Sequence, residues 1–323
     1  LSRSFTYLGE GAALKASLQQ VIQKINELVQ ESPSLIRGDL EVLTQRTGKL
    51  LRPALFLLCA DGGEGKNDDL ITVAASIELL HIATLAHDDV LDKALKRRGN
   101  VTLYSKEGAK RAILAGDYLL SLSLRLSSTF FDVSLVPSMT SSLERLCLSE
   151  IDQDSGFGNF HINRDQYFER IRGKTAELFG LSCRSGAVLG GKSLEVQNEL
   201  YNMGIDFGMA FQIRDDVLDY TGESRKMGKP AGNDLREGIP TLPLILAVED
   251  KLSGLEFLLR KPFWRVNAGL IRNRILSAGY SQKADEISGQ YIQNSLVLAE
   301  KSLSKEAFEQ YRHILDSLRK IPQ

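Results

Sequence analysis

Apolar positions recur every three to four residues along most of this chain, the spacing that lines one face of an α-helix. Leu14, Leu18, Val21, Ile22, Ile25 and Leu28 predict a first amphipathic helix. From Thr72 to Leu91 the chain is apolar on almost every side, the pattern of a helix buried at a bundle centre. Ala109 to Phe130 reads similarly. Asp165–Gly190, rich in Ala, Leu and Gly, and Leu194–Tyr220 follow, parted by Gly190-Gly191. Glycines and prolines punctuate Gly222–Pro243, which predicts one long interior loop of the kind that usually carries function. A charged helix, Lys305–Arg319, closes the chain. Short alternating β-branched runs are nearly absent. The prediction is an all-α fold of ten or more helices. No linker or composition shift divides residues 1–323, so one large helical bundle domain is expected.

Composition narrows the function. The chain is 43% hydrophobic, ample for a large core, and 40 Lys and Arg against 41 Asp and Glu leave a net charge of −1. That balance gives no global pull toward nucleic acid or an anionic membrane, so local charge decides, and no nucleic-acid partner is predicted. Cys59, Cys147 and Cys183 are odd in number and lie in apolar surroundings, which predicts reduced core thiols and a cytoplasmic protein. The four histidines share no metal-ligand spacing with them, which argues against zinc. No stretch reads as apolar over the roughly 20 residues that span a bilayer, and Leu1-Ser2-Arg3-Ser4 does not open a secretory leader. No integral membrane segment is expected.

The pentapeptide Asp-Asp-Val-Leu-Asp occurs twice, at Asp88–Asp92 and Asp215–Asp219, each time inside apolar helical sequence. Helical spacing puts Asp88 and Asp92 on one face with Asp89 beside them, and Asp215 and Asp219 on another with Asp216. Carboxylates this close repel unless a cation lies between them or some take up protons. Mg²⁺ fits, because it binds one or two carboxylates together with substrate phosphates. Basic groups are spread around them. Lys49 and Arg52 flank Leu50-Leu51, Arg97-Arg98-Gly99 follows the first cluster, Lys174-Thr175 opens a small-residue helix, and Lys229 lies in the long loop. Arg presents a fork to two phosphate oxygens and Lys a point charge. Together they predict a cage for a diphosphate leaving group.

In order and spacing these motifs resemble the trans-isoprenyl (polyprenyl) diphosphate synthases. The match runs through Gly48-Lys49-x-x-Arg52-Pro53, Glu78-x-x-His81, His87-Asp88-Asp89-Val90-Leu91-Asp92 and Arg97-Arg98-Gly99. It continues in Ala115-Gly116-Asp117-Tyr118-Leu119, Lys174-Thr175-Ala176, Phe211-Gln212-Ile213-Arg214-Asp215, and Gly228-Lys229-Pro230 with Thr241-Leu242-Pro243. The resemblance implies an isoprenoid synthase-like bundle with a central cavity that both acidic faces line. It implies Mg²⁺-dependent, head-to-tail condensation of isopentenyl diphosphate onto an allylic diphosphate primer. Lys49, Arg52, His81 and Arg98 would bind isopentenyl diphosphate. Arg97, Lys174, Thr175, Gln212 and Lys229 would hold the allylic diphosphate, with Mg²⁺ bridging it to Asp88, Asp92 and Asp215. Asp89, Asp216 and Asp219 would complete the clusters, and the assembly would be a homodimer. Two positions depart from the family: Ile239 stands where Lys is frequent, and Val101 where Pro is usual.

Chain length should follow the depth of a tunnel beneath Asp88. Ala83 and Thr84 lie one turn before it, where short-chain relatives place aromatic rings; Leu80 and Ile77, or Phe130 or Phe131, would form the next floor. Small residues there predict an all-trans product of about C30 to C40, suited to a quinone tail, with a geranylgeranyl product as the shorter alternative. Phe211 could face a carbocation, although a core role suits it better. A class I terpene cyclase and a subunit of a hetero-oligomeric synthase are the competing readings. Cyclases carry a different second metal motif, and non-catalytic subunits lack the acidic motifs that are complete here.

Overall fold

The computed structural model describes residues 5–8, 11–45, 48–61, 67–97, 99–130, 136–222, 231–260 and 263–319. They are almost wholly helical, and they divide into two compact units, each assembled from three separated stretches. No single cut in the chain therefore parts one unit from the other.

The first unit comprises Leu1–Ser138, Ser182–Tyr201 and Ser302–Ile314. It contains α1 (Ala12–Glu31), α2 (Ser34–Thr44), α3 (Leu51–Ala60), α4 (Asn67–Leu91), α5 (Leu103–Glu107) and α6 (Ala109–Ser128). α4 is the hub and packs against α1, α3 and, most extensively, α6. Its Val73, Ala74, Ala75, Leu79, Leu80 and Ala83 are buried, so side chains on every side find apolar neighbours. Each large one contributes about 1.5–3 kcal/mol relative to exposure. Contrary to the expectation that no segment is apolar enough for long enough to span a bilayer, α4 is, by length and composition. Of its apolar stretch 67% is buried inside the protein, the condition of a core helix. Deeper along the same contact, Ser76 Oγ and Ser127 Oγ share a hydrogen bond of 2.8 Å, and Ser123 Oγ donates to the Ser76 carbonyl at 2.7 Å. A two-residue antiparallel ladder, β1 (Lys96–Arg97) with β2 (Asn100–Val101), follows α4.

The second unit comprises Met139–Leu181, Asn202–Lys301 and Leu315–Gln323. It holds most of α7 (Val136–Ser155), then α8 (Arg164–Ile171), whose N-terminus closes with a capping box between Asn163 and Gln166. α9 (Glu177–Leu189) and the 28-residue α10 (Leu194–Thr221) supply residues to both units. α11 (Asn233–Arg236), α12 (Leu242–Glu249), α13 (Leu255–Leu258), α14 (Trp264–Ser277) and α15 (Tyr280–Ser302) follow, and α16 (Lys305–Arg319), like α9 and α10, supplies residues to both units.

Most predicted helices are present within a few residues of their expected ends. Asp165–Gly190 is helical without a break from Arg164 to Leu189, but a π-helical turn at Arg172–Ala176 joins α8 to α9. Within the expected loop Gly222–Pro243, residues 223–230 lie outside the described residues, the one-turn α11 follows at Asn233–Arg236, and α12 begins at Leu242. One cysteine departs from the core assignment. Cys59 and Cys183 are buried together, but Cys147 is exposed on α7, beside the exposed Leu148.

Candidate active site

Both acidic pentapeptides lie at helix C-termini, Asp88–Asp92 closing α4 and Asp215–Asp219 in the last two turns of α10. Unsatisfied carbonyls make that end of a helix electronegative. Three carboxylates are therefore placed where the backbone already disfavours anions, which is an arrangement that calls for cations.

In the first cluster the carboxylates separate by environment. Asp89 is buried, and its Oδ1 accepts from Arg97 Nε on β1 at 2.7 Å. Burial raises the Asp89 carboxyl above its usual range, opposed by the Arg97 bond and charge and assisted by the nearby Asp92. Asp88 is half-buried and Asp92 exposed. α4 stops because Lys93 takes a left-handed conformation (φ 50°), with Lys93 N donating to the Val90 carbonyl and Ala94 N to the Asp89 carbonyl. That cap turns the chain into the ladder carrying Arg97. Arg98 lies outside the described residues. One turn back, Thr84 is half-buried and donates to its own helix at the His81 carbonyl, while Ala83, Leu80 and Ile77 are buried. His81 and Arg52 are half-buried and Lys49 is exposed. Between Lys49 and Arg52, the buried Leu50 holds φ 55°, a left-handed conformation costly for a branched side chain. Such strain persists only where the surroundings enforce it. His87 Nε2 lies 3.2 Å from Asp117 of α6, over Gly116, where any Cβ would collide with the imidazole.

The second cluster is tied into a chain of hydrogen bonds. Thr175 Oγ1 donates to Gln212 Oε1 (2.7 Å), Gln212 Nε2 donates to Asp216 Oδ1 (2.9 Å), and Tyr167 Oη donates to Asp216 Oδ2 (2.6 Å). Burial pushes the Asp216 carboxyl up to about 7 despite those bonds, which favour its ionised form; Asp215 and Asp219 push it further the same way. Asp219 is buried as well, and its carboxylate accepts from the backbone N–H groups of Asn233 (3.1 Å) and Asp234 (3.2 Å). It thereby anchors the first turn of α11. Asp215 alone of the three is exposed. Two features bring Thr175 to Gln212. The π turn displaces the register of the helix, and Gly208 admits α10 so close that an added Cβ would stand 2.5 Å from the Ala176 Cα. Lys174 Nζ is engaged by Glu150 (2.9 Å) and Gln153 (3.4 Å) of α7. Phe211 sits in an aromatic cluster, its ring 5.8 Å from that of Phe179. Lys229 lies outside the described residues; Ile239 is half-buried and Val101 exposed.

The structure thus joins Thr175, Gln212 and Asp216 in one network and Asp89 with Arg97 in one ion pair. Tyr167 and Glu150 were not singled out by sequence, since a buried Tyr reads as core and a helical Glu as surface. Among the described residues no group of three or more His, Cys, Asp or Glu side chains converges on one point. The set fits magnesium in the manner expected of that ion, with one or two carboxylates per ion and the remaining positions left to phosphate and water.

The family's sequence profile, described as polyprenyl synthetase, matches residues 33–262. The chain belongs to that family. The heptaprenyl diphosphate synthase component 2 of Geobacillus stearothermophilus is 35% identical over 252 residues, 78% of this chain and 77% of that protein. An all-trans-nonaprenyl-diphosphate synthase (geranyl-diphosphate specific) of Rhodobacter capsulatus is 33% identical over 302 residues, 93% and 88% of the two chains. A solved polyprenyl synthase of Caulobacter crescentus, complexed with calcium and isoprenyl diphosphate, superposes with a TM-score of 0.89 at 27% identity. That match covers 98% of each chain. Like its relatives, this polyprenyl synthetase is all-α.

Proposed function

We propose that this enzyme elongates an allylic diphosphate by head-to-tail condensation with isopentenyl diphosphate, giving an all-trans polyprenyl diphosphate. Its more outward-facing carboxylates, at helix ends that already bear negative charge, carry this assignment. Asp88, Asp92 and Asp215 hold magnesium, and Asp89, Asp216 and Asp219 complete the two clusters, fixed by Arg97, by Tyr167 and Gln212, and by the start of α11. When bound, magnesium supplies Lewis-acid neutralisation of the departing diphosphate.

The chain's own groups do the rest. Arg97, Lys174, Thr175, Gln212 and Lys229 hold the allylic diphosphate, and Lys49, Arg52, His81 and Arg98 hold that of isopentenyl diphosphate. Fixed cations at the leaving group stabilise charge as it develops. The allylic C1–O bond breaks with its electron pair going to diphosphate. The isopentenyl double bond attacks C1, and the C2 proton passes to the released diphosphate. Arg97 exchanges its Asp89 bond, and Lys174 its Glu150 bond, for phosphate oxygens of comparable charge. Ala83 and Thr84 leave room for a product of about C30 to C40, as for a quinone tail, made by a cytoplasmic homodimer.

The test incubates the purified full-length chain with magnesium, farnesyl diphosphate and isopentenyl diphosphate, and measures product length by mass spectrometry. Asp88→Ala abolishes turnover with helical circular dichroism intact, and Ala83→Phe shortens the product. Near-normal turnover by Asp88→Ala removes the metal role. A geranylgeranyl product assigns the shorter chain, and a cyclic hydrocarbon assigns a cyclase. The Geobacillus relative is named as one component of its enzyme, so a chain that elongates nothing until a second component is added works as a heteromer.

A further inference from the structure

Charge that cancels over the whole chain does not cancel locally. Residues 251–274 hold Lys251, Arg260, Lys261, Arg265, Arg272 and Arg274 against the single acidic Glu256, in a protein whose net charge is −1. The same stretch forms α13 and α14 and presents large apolar side chains to water. Val266 is 88% exposed, Phe257 64%, Leu270 53% and Phe263 52%. Val266 and Leu270 are one turn apart on the outer face of α14, with Arg265 and Arg274 on its two flanks. The arginines lie close against that surface. Arg260 lies 5.8 Å from the centre of the Phe257 ring, Arg265 lies 5.7 Å from that of Phe157, and Arg274 packs against Gly254 at the start of α13. Arg272 belongs to the interior side, where its Nε donates to the Tyr220 carbonyl at 2.6 Å.

We propose that the α13–α14 face is a docking surface for an anionic lipid bilayer. Phosphate headgroups meet Arg260, Arg265 and Arg274, while Val266, Leu270 and the two phenylalanines enter the acyl boundary. Arginine beside exposed aliphatic and aromatic groups combines the two attractions that hold a protein at an anionic bilayer, apolar insertion and charge. A nucleic acid would use the arginines but leaves Val266 and Leu270 in water. A second copy of this chain would set arginine against arginine at such a face. Given the proposed reaction, docking also has a use: a long polyprenyl chain dissolves in a bilayer and not in water.

The test sediments the full-length protein with sucrose-loaded vesicles of phosphatidylcholine containing 30% phosphatidylglycerol, and with vesicles of phosphatidylcholine alone, at 0.1 M salt. The protein is expected to pellet with the anionic vesicles only and to be released by 0.5 M salt. Each basic residue near such a surface is worth about fivefold in partition, so the doubly substituted Arg265→Gln, Arg274→Gln protein binds roughly 25-fold more weakly. Val266→Asp with Leu270→Asp also abolishes pelleting, with circular dichroism unchanged. Absence of pelleting with anionic vesicles, equal pelleting with both kinds, or undiminished binding by the variants overturns the proposal. So does a fall in molar mass by light scattering for Val266→Asp without vesicle binding, which gives the face to a second copy. Vesicle binding is read without turnover, so it stands or falls apart from the assigned reaction.

Discussion

Tyr167→Phe removes one oxygen from a fully buried site and leaves the ring, so it opens no cavity of consequence. The lost group is the donor to Asp216 Oδ2 at 2.6 Å. Hydrogen bonds to charged groups contribute about 1.5–3 kcal/mol net, and this one is short, buried and charge-assisted. The Asp216 carboxyl, pushed up to about 7 by burial, keeps among the described residues its bond from Gln212. The expected cost is therefore about 1.5–3 kcal/mol, roughly 2–4 °C in Tm for a chain of this size. Urea unfolding at pH 8, where Asp216 is ionised in the native protein, is the assay. A double-mutant cycle with Asp216→Asn isolates the pair, and the coupling should exceed about 1 kcal/mol. A penalty under about 0.5 kcal/mol, or one unchanged in the Asp216→Asn background, would refute the claim that Tyr167 holds this carboxylate.

Gly208→Ala places a methyl 2.5 Å from the Ala176 Cα, against backbone that cannot move cheaply. It should cost about 1–3 kcal/mol and raise KM for the allylic substrate more than it lowers kcat, because Gln212 is drawn away from Thr175; unchanged stability counts against the close approach. Asp206 responds to pH. Burial raises its carboxyl to about 6, with the Arg172 charge opposing, so the native state holds a proton that the unfolded chain has lost between about pH 4 and pH 6. Stability from this group falls as pH rises through that window. Asp206→Asn should show a Tm advantage over the wild type that grows from pH 4.5 to pH 7.5, and parallel curves would dismiss the effect.

Helices and acidic clusters were legible because both are local. Apolar spacing marks a helix face regardless of what covers it, and two identical pentapeptides in apolar sequence are improbable as plain surface. What escaped depends on distant parts of the chain. Nothing in Arg172-Gly173-Lys174-Thr175-Ala176 distinguishes a π turn from an α turn; the distinction comes with packing against Gly208. Tyr167 resembles any core tyrosine until its hydroxyl is seen at Asp216. Asp219 reads as one more carboxylate of the acidic face, and only the fold shows its carboxylate accepting from backbone fourteen and fifteen residues on. Cys147 was misjudged because its leucine neighbours suggested burial, and Leu148 is itself exposed.

The wide turn between α8 and α9 has a consequence for how such a chain can vary. A π turn accommodates one residue more than an α-helix covering the same rise, so everything beyond it is rotated by about 100° relative to a straight continuation. Loss of any one residue between 172 and 176 would yield a more regular helix with better backbone bonds. It would also swing Thr175 off Gln212 and present a different side chain to Gly208. Here the number of residues is fixed more tightly than their identity: substitutions are graded, whereas a single-codon deletion undoes the Thr175–Gln212–Asp216 chain in one step.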